Sequence, residues 1–197
     1  MQIDKDLLIT WGAVAKKFKK NSHIFYEGDP ARFYYQILEG KVRMCSYNEE
    51  GRTFIQGFFA ESESFGEPPL FLNERYPACA IAETNCIILK LSKDTLIKLL
   101  EEYPELQMRF VTMFAKRIFE KATTNKNIVS LHPEQRILGF LKNFKKVNQN
   151  GNDRIFIPYT RQKIADLLGL RVETVIRTLI RMEEEGKVEI RHHKLYF

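Results

Sequence analysis

Glu173 and Arg177 stand four residues apart, so on a helix they project from one face, one turn from each other. A guanidinium can donate two hydrogen bonds to guanine O6 and N7, and a carboxylate can accept from cytosine N4. The two residues therefore hold the donor and acceptor set that reads base edges in a major groove. Standing alone, the same pair is an ordinary surface i, i+4 salt bridge, of a few tenths of a kcal/mol. The neighbouring residues decide between the readings. If Arg171 to Glu184 is one helix, Val175, Leu179 and Met182 point inward while Val172, Glu173, Ile176 and Arg177 point outward, the expected base readers. Thr160, Arg161, Gln162 and Arg171 fall near helix N-termini and are the expected phosphate contacts, Thr160 also serving as a cap.

These side chains need two short helices held at a fixed angle. In Arg161 to Thr178 the apolar residues Ile164, Leu168, Leu170 and Val175 have the spacing of a shared helix-turn-helix core. Ala165 is small where the helices would cross, and Gly169 supplies the turn. An unrelated helix pair reproduces some of this spacing, but not the small residue and the glycine together with it. Upstream, His132-Pro133 breaks the chain, a helix with Ile137, Leu138, Phe140, Leu141 and Phe144 on one side follows, and Asn148 to Asp153 turns into a short strand, Ile155 to Ile157. Past Gly186, Val188-Glu189-Ile190 and Lys194-Leu195-Tyr196 flank Arg191-His192-His193 as a hairpin wing. The two histidines read as turn-tip residues rather than metal ligands, because no third ligand stands at metal-site spacing.

The first half reads differently. Up to about Ser92, short β-branched or aromatic runs alternate with turn signals: His23 to Tyr26 before Gly28-Asp29-Pro30, Phe33 to Leu38 before Glu39-Gly40, Val42 to Tyr47 before Asn48-Glu49-Glu50-Gly51, then Ala78 to Glu83 and Cys86 to Leu91. Such a series predicts a sandwich or barrel-like roll. Ser92 caps a short helix to about Glu102, and Pro104 opens a long helix to about Leu131. On that helix Val111, Phe114, Ile118, Asn125 and Ile128 occupy alternating a and d positions, with Lys121 a poor d residue, while Leu106, Phe110 and Met113 form a neighbouring face suited to the roll. Two apolar faces need two covers, and a partner subunit is the expected second; the competing reading is a monomeric core helix. Lys16, Lys17, Lys19 and Lys20 are read as a solvated helix face.

The fold class expected is thus α+β in three parts: a β-roll sensor over 1–103, a dimerisation helix over 104–131 and a winged helix-turn-helix over 132–197. Of the chain's net charge of +6, a surplus of +5 lies from His132 onward, which permits nucleic-acid binding there without establishing it. No uncharged apolar stretch is long enough to span a bilayer, and Met1 to Trp11 lacks the basic and apolar regions of a signal peptide, so a cytoplasmic protein without membrane partners is expected. Cys45, Cys79 and Cys86, odd in number, fit reduced thiols better than a disulfide framework. There is no nucleophile with an adjacent base, no phosphate-cradling glycine loop and no metal-ligand set, so no catalytic residue is assigned.

The segment from Tyr159 to Arg177 resembles the C-terminal signature of the Crp/Fnr regulators. Ile24-Phe25-Tyr26-Glu27-Gly28-Asp29 and Leu38-Glu39-Gly40-Lys41-Val42 resemble that family's β-roll turns, and Phe65-Gly66-Glu67 with Leu70-Phe71 resembles its ligand cassette. The resemblance implies a jelly-roll (double-stranded β-helix) sensor, a homodimer on a palindromic operator in double-stranded DNA, RNA polymerase as a partner, and activation or repression of transcription. Val172-Glu173-Thr174 is closer to the Fnr branch, which implies a TTGA-like half-site. Ile176 departs from the family's small residue and could touch a thymine methyl.

By the same resemblance the effector pocket involves Phe65, Gly66, Glu67, Leu70, Tyr76 and Ala78. Its fit to cyclic AMP is poor. Pro68 and Pro69 remove two backbone donors, Tyr76-Pro77 stands where the family's Arg-Ser pair holds the phosphate, and Lys121-Ala122 stands where a Thr-Ser pair reaches the purine. The Fnr-type N-terminal cysteine cluster is absent, so no iron–sulfur site is expected. The expectation is a DNA-binding regulator answering to another effector or to none. The alternatives are a cyclic-nucleotide-responsive regulator, and a scaffold module without salt-dependent DNA affinity.

Overall fold

A computed structural model describes residues 3–48, 51, 53–128, 132–148 and 154–197, with 123–128 described by backbone alone. Two compact units result, Met1–Lys116 and Arg117–Phe197.

The first unit opens with helix α1 (Lys5–Thr10), capped by the Asp4 carboxylate, which accepts from the amides of Asp6 and Leu7. Strands β1 (Val14–Phe18), β2 (His23–Phe25), β3 (Phe33–Glu39), β4 (Val42–Tyr47), β5 (Thr53–Phe59) and β6 (Ser64–Phe65) follow, then α2 (Glu67–Leu72), β7 (Cys79–Ala82), β8 (Cys86–Ser92) and α3 (Lys93–Glu102). The strands form two antiparallel four-stranded sheets, ordered β1-β8-β3-β6 and β2-β7-β4-β5, the jelly-roll architecture expected. Alternation sorts their side chains. Tyr35 and Ile37 of β3 and Cys86 and Ile88 of β8 join Val42, Ala80 and Ala82 in one cluster. Tyr34 of β3 and Leu89 and Leu91 of β8 join the helical residues Leu8, Leu96, Leu99, Leu106 and Phe110 in another. The buried Gln36 is satisfied at both ends of its amide: it accepts from Ile3 N at 3.0 Å and Tyr34 Oη at 2.7 Å, and donates to Ile3 O at 2.8 Å. Ser92 caps α3 as expected, accepting from Thr95 N at 3.2 Å.

The lysine cluster is not a helix face. Lys16 and Lys17 lie on β1, the edge strand of its sheet, paired among the described residues with β8 alone, and Lys19 and Lys20 follow it. All four β1 residues before Phe18 are exposed, and lysines on an edge discourage further strand pairing.

Helix α4 (Pro104–Ile128) buries Leu106 and Phe110 in the roll's helical cluster. The expected a/d stripe divides. Phe114 is half-buried against Phe71 and Phe110 of its own unit, whereas Val111 and Ile118 are 57% and 68% exposed. The side chains of Asn125 and Ile128 lie outside the described residues, as do 129–131 at the predicted helix end and parts of the predicted turns, 49–50 and 149–153.

The second unit contains α5 (Pro133–Asn148), β9 (Phe156–Ile157), α6 (Arg161–Leu168), α7 (Val172–Glu184), β10 (Glu189–Arg191) and β11 (Lys194–Tyr196), the strands forming an antiparallel sheet ordered β10-β11-β9. Ile137 and Leu141 of α5 close its core over Ile164, Ala165 and Leu168 of α6 and Val175, Leu179 and Met182 of α7, with Val188 and Leu195 from the hairpin. No helix among the described residues is long and apolar enough to cross a membrane.

Candidate nucleic-acid interface

The helix pair is set by local chemistry at three points. Thr160 caps α6, its hydroxyl accepting from Lys163 N at 3.1 Å. Gly169 ends the helix at φ +60°, ψ +39°, where a side chain would be strained, and Arg171 precedes α7 in extended conformation. The third point is the Arg136 guanidinium, whose Nη2 donates to the carbonyl of Leu168, one residue before that turn. No sequence rule pointed to Arg136, because its partner is thirty-two positions away. Replacing Thr160 by alanine should cost the second unit about 1 kcal/mol, read as a lowered denaturant midpoint, with serine restoring most of the loss.

Among the outward-facing residues Glu173, Ile176 and Arg177 are exposed on the first two turns of α7, while Val172 is half-buried against the unit's own core. Among the described residues neither Glu173 nor Arg177 has a hydrogen-bond or ion-pair partner, so the surface salt bridge that competed with the base-reading role is not formed. Of the expected phosphate contacts, Thr160, Gln162 and Arg171 are exposed and Arg161 is half-buried. Gln162 Nε2 donates to Asp166 Oδ1 at 2.8 Å. Burial draws the Arg161 guanidinium down from its usual range, and Glu183 opposes the shift.

Behind this face Glu134 of α5 ties the end of α7 to the hairpin: Arg181 Nη2 donates to its Oε2 at 3.0 Å and Lys187 Nζ to its Oε1 at 2.6 Å. Those hydrogen bonds, Lys187 first, hold its carboxyl below the usual carboxylate range. At the wing tip His192 and His193 take φ +47° and +63°, the left-handed pair of a two-residue hairpin turn between Arg191 and Lys194.

The residues expected to line an effector pocket are all buried, Glu67 at 1% exposure, and those that join a core cluster divide between two. Leu70 belongs to the helical cluster; Phe65 and Tyr76 belong to the cluster inside the roll. Tyr76 stacks on Phe25 with ring centroids 3.6 Å apart and planes 10° from parallel. Tyr35 and Phe65 stack beside them at 5.6 Å. Gly66 is pressed against this stack at φ +77°, and a Cβ there would meet Phe25 at 3.1 Å and Tyr76 at 3.2 Å. Burial pushes both phenols up, Tyr35 to about 12 and Tyr76 further still. The prolines occupy the first turn of α2, where they withhold two amides. Lys121 and Ala122 are exposed on α4. Among the described residues the interior beside Gly66 is filled by the rings of Phe25, Tyr35, Phe65 and Tyr76.

Comparison with known proteins matches each unit. A family model described as a cyclic nucleotide-binding domain matches residues 15–103, and one described as a Crp-like helix-turn-helix domain matches residues 135–196. Among curated relatives, the nitrogen fixation regulation protein FixK of Azorhizobium caulinodans is 28% identical over 180 residues, spanning 88% of this chain and 70% of that protein. The cAMP-activated global transcriptional regulator CRP of Haemophilus influenzae is 26% identical over 175 residues, spanning 87% and 78%. Among solved structures, the c-di-GMP responsive global regulator CLP of Xanthomonas campestris superposes with a TM-score of 0.82 at 20% identity, covering 97% of this chain and 98% of that one. FixK2 of Bradyrhizobium japonicum superposes with a TM-score of 0.72 at 21% identity, covering 93% and 91%. At these identities the structural matches speak for the fold.

Proposed function

Since the chain belongs to the Crp/Fnr family of transcription regulators, we propose that it binds a palindromic operator as a homodimer, each copy laying α7 in a major groove to read a TTGA-type half-site with Glu173 and Arg177. It is a DNA-binding regulator and not an enzyme. The observation that carries the proposed readout is that Glu173 and Arg177, whose side chains have no partner among the described residues, stand on the exposed face of a helix whose other face is sealed by Val175, Leu179 and Met182. Recognition helices dock with their N-terminal residues at the base edges, which is where these two stand.

The division of labour follows the three expected parts: 1–103 is the sensor, 104–131 joins two copies, and 132–197 binds DNA. Val111 and Ile118 lie one heptad apart with their side chains exposed, and a second α4 would cover them. A dimer so joined presents two recognition helices to half-sites one helical turn apart, in the cytoplasm and in reach of RNA polymerase.

We assign control to an effector other than cyclic AMP, on the Phe25–Tyr76 stack. Fluorescence anisotropy with a palindromic TTGA-type duplex and a scrambled duplex, at two salt concentrations and with or without cyclic AMP, tests the whole reading. The expected result is preference for the TTGA-type duplex without nucleotide, affinity falling with salt for both duplexes, and no response to cyclic AMP. Preference that appears only with cyclic AMP would reinstate the nucleotide-responsive alternative. Salt-independent, indiscriminate weak binding would favour the scaffold module.

A further inference from the structure

Helix α7 carries an apolar feature that its own fold leaves uncovered. Its inner side is complete with Val175, Thr178, Leu179 and Met182. On the outer side Ile176 and Ile180, one turn apart, are 42% and 47% exposed among Glu173, Arg177, Arg181 and Glu184. Ile176 follows Glu173 by three positions and precedes Arg177 by one, so it shares the arc that those residues present to the groove. An isoleucine held against polar base edges would strip their water and return no hydrogen bond. The base-edge group in a major groove that suits it is the C5-methyl of thymine. Its branched Cβ leaves essentially one side-chain rotamer in a helix, so the surface it offers is stiff and cannot fold away from a poor match.

We propose that Ile176 packs on the methyl group of a thymine adjoining the guanine bound by Arg177 and makes this chain select a 5-methylpyrimidine there, with Ile180 extending the apolar wall toward the deoxyribose. This assignment rests on α7 being the DNA-reading helix of the proposed function, and it adds a specificity determinant that the hydrogen-bonding residues do not supply.

Replacing each thymine of the TTGA-type duplex in turn by uracil, which lacks only the methyl, tests it by anisotropy with the full chain. At one thymine position, and at that position only, the unmodified protein should bind the uracil duplex about fourfold more weakly. Ile176→Ala should bind the thymine duplex about fourfold more weakly than the unmodified protein and be indifferent to the uracil replacement. Ile176→Val should keep most of the discrimination, showing that the fold is intact. The salt slope should be the same for all three proteins, since no phosphate contact is involved. Cytosine at the position should be rejected and 5-methylcytosine partly accepted. If uracil costs the unmodified protein and Ile176→Ala equally at every position, the assignment is overturned while the Glu173 and Arg177 reading stands. If the unmodified protein does not prefer the TTGA-type duplex over the scrambled one, the half-site reading falls and takes this assignment with it.

Discussion

Alanine at Arg177 is expected to weaken binding to the cognate duplex by about 1–3 kcal/mol, roughly 5- to 150-fold, and to relax the preference at one G·C pair. The size follows from geometry: a guanidinium that meets O6 and N7 together makes two charge-assisted bonds, and an exposed arginine whose side chain has no partner among the described residues gives up none of their bonds on docking. Lysine at the same position should recover only part of the loss, because a single ammonium cannot reproduce the two-pronged fit. A phosphate-contacting residue gives the opposite pattern. Arg171→Ala should weaken cognate and scrambled duplexes alike and lower the salt slope by about 1. Titrating both variants against both duplexes at two salt concentrations separates the roles, and unchanged affinity and specificity in Arg177→Ala would remove Arg177 from the set of base readers.

Truncating Leu179 to alanine should destabilise the second unit by about 2–5 kcal/mol, a large share of the about 5–15 kcal/mol that holds a typical domain together. Leu179 is fully buried among residues from α5, α6 and the hairpin, so the cavity has no single neighbour able to collapse into it. The chain offers a way to localise the effect. Its one tryptophan, Trp11, lies in Met1–Lys116, 6.2 Å from Tyr103, so fluorescence follows that unit while far-UV circular dichroism follows the helices of both. The dichroism midpoint should fall in Leu179→Ala and the fluorescence midpoint should move less. DNA affinity should fall on both duplexes together, unlike the selective loss in Arg177→Ala. An unchanged dichroism midpoint would show that Leu179 does not carry the packing assigned to it.

Where a structural rule acts over three or four residues, the sequence alone was enough. The caps at Ser92 and Thr160, the turn at Gly169 and the inward row Val175, Leu179 and Met182 each depend on near neighbours, and each stands in the fold where its residue type implied. The jelly-roll strands β3 and β8 were legible for the same reason, because β-branched and aromatic runs bounded by turn residues mark strands within a few positions, and both faces of each are claimed by buried clusters. Strand β1 shows no such run: Lys16 and Lys17 interrupt it, four consecutive residues are exposed, and pairing with β8, Val14 opposite Lys90, makes it a strand. Val172 and Phe114 stand at the border of two helix faces, where a helical wheel does not decide which neighbour a side chain meets, and each is half-buried against its own unit's core. The roll's interior depended most on tertiary structure. Tyr76 in place of an arginine already argued against a bound phosphate, but the Phe25–Tyr76 stack joins residues far apart in the chain, and its closeness comes from the meeting of β2 with the segment leading into β7. Local propensity fixes periods and caps because their partners are covalently near; which aromatic fills which space is settled by close packing, whose partners are chosen only when the sheets close.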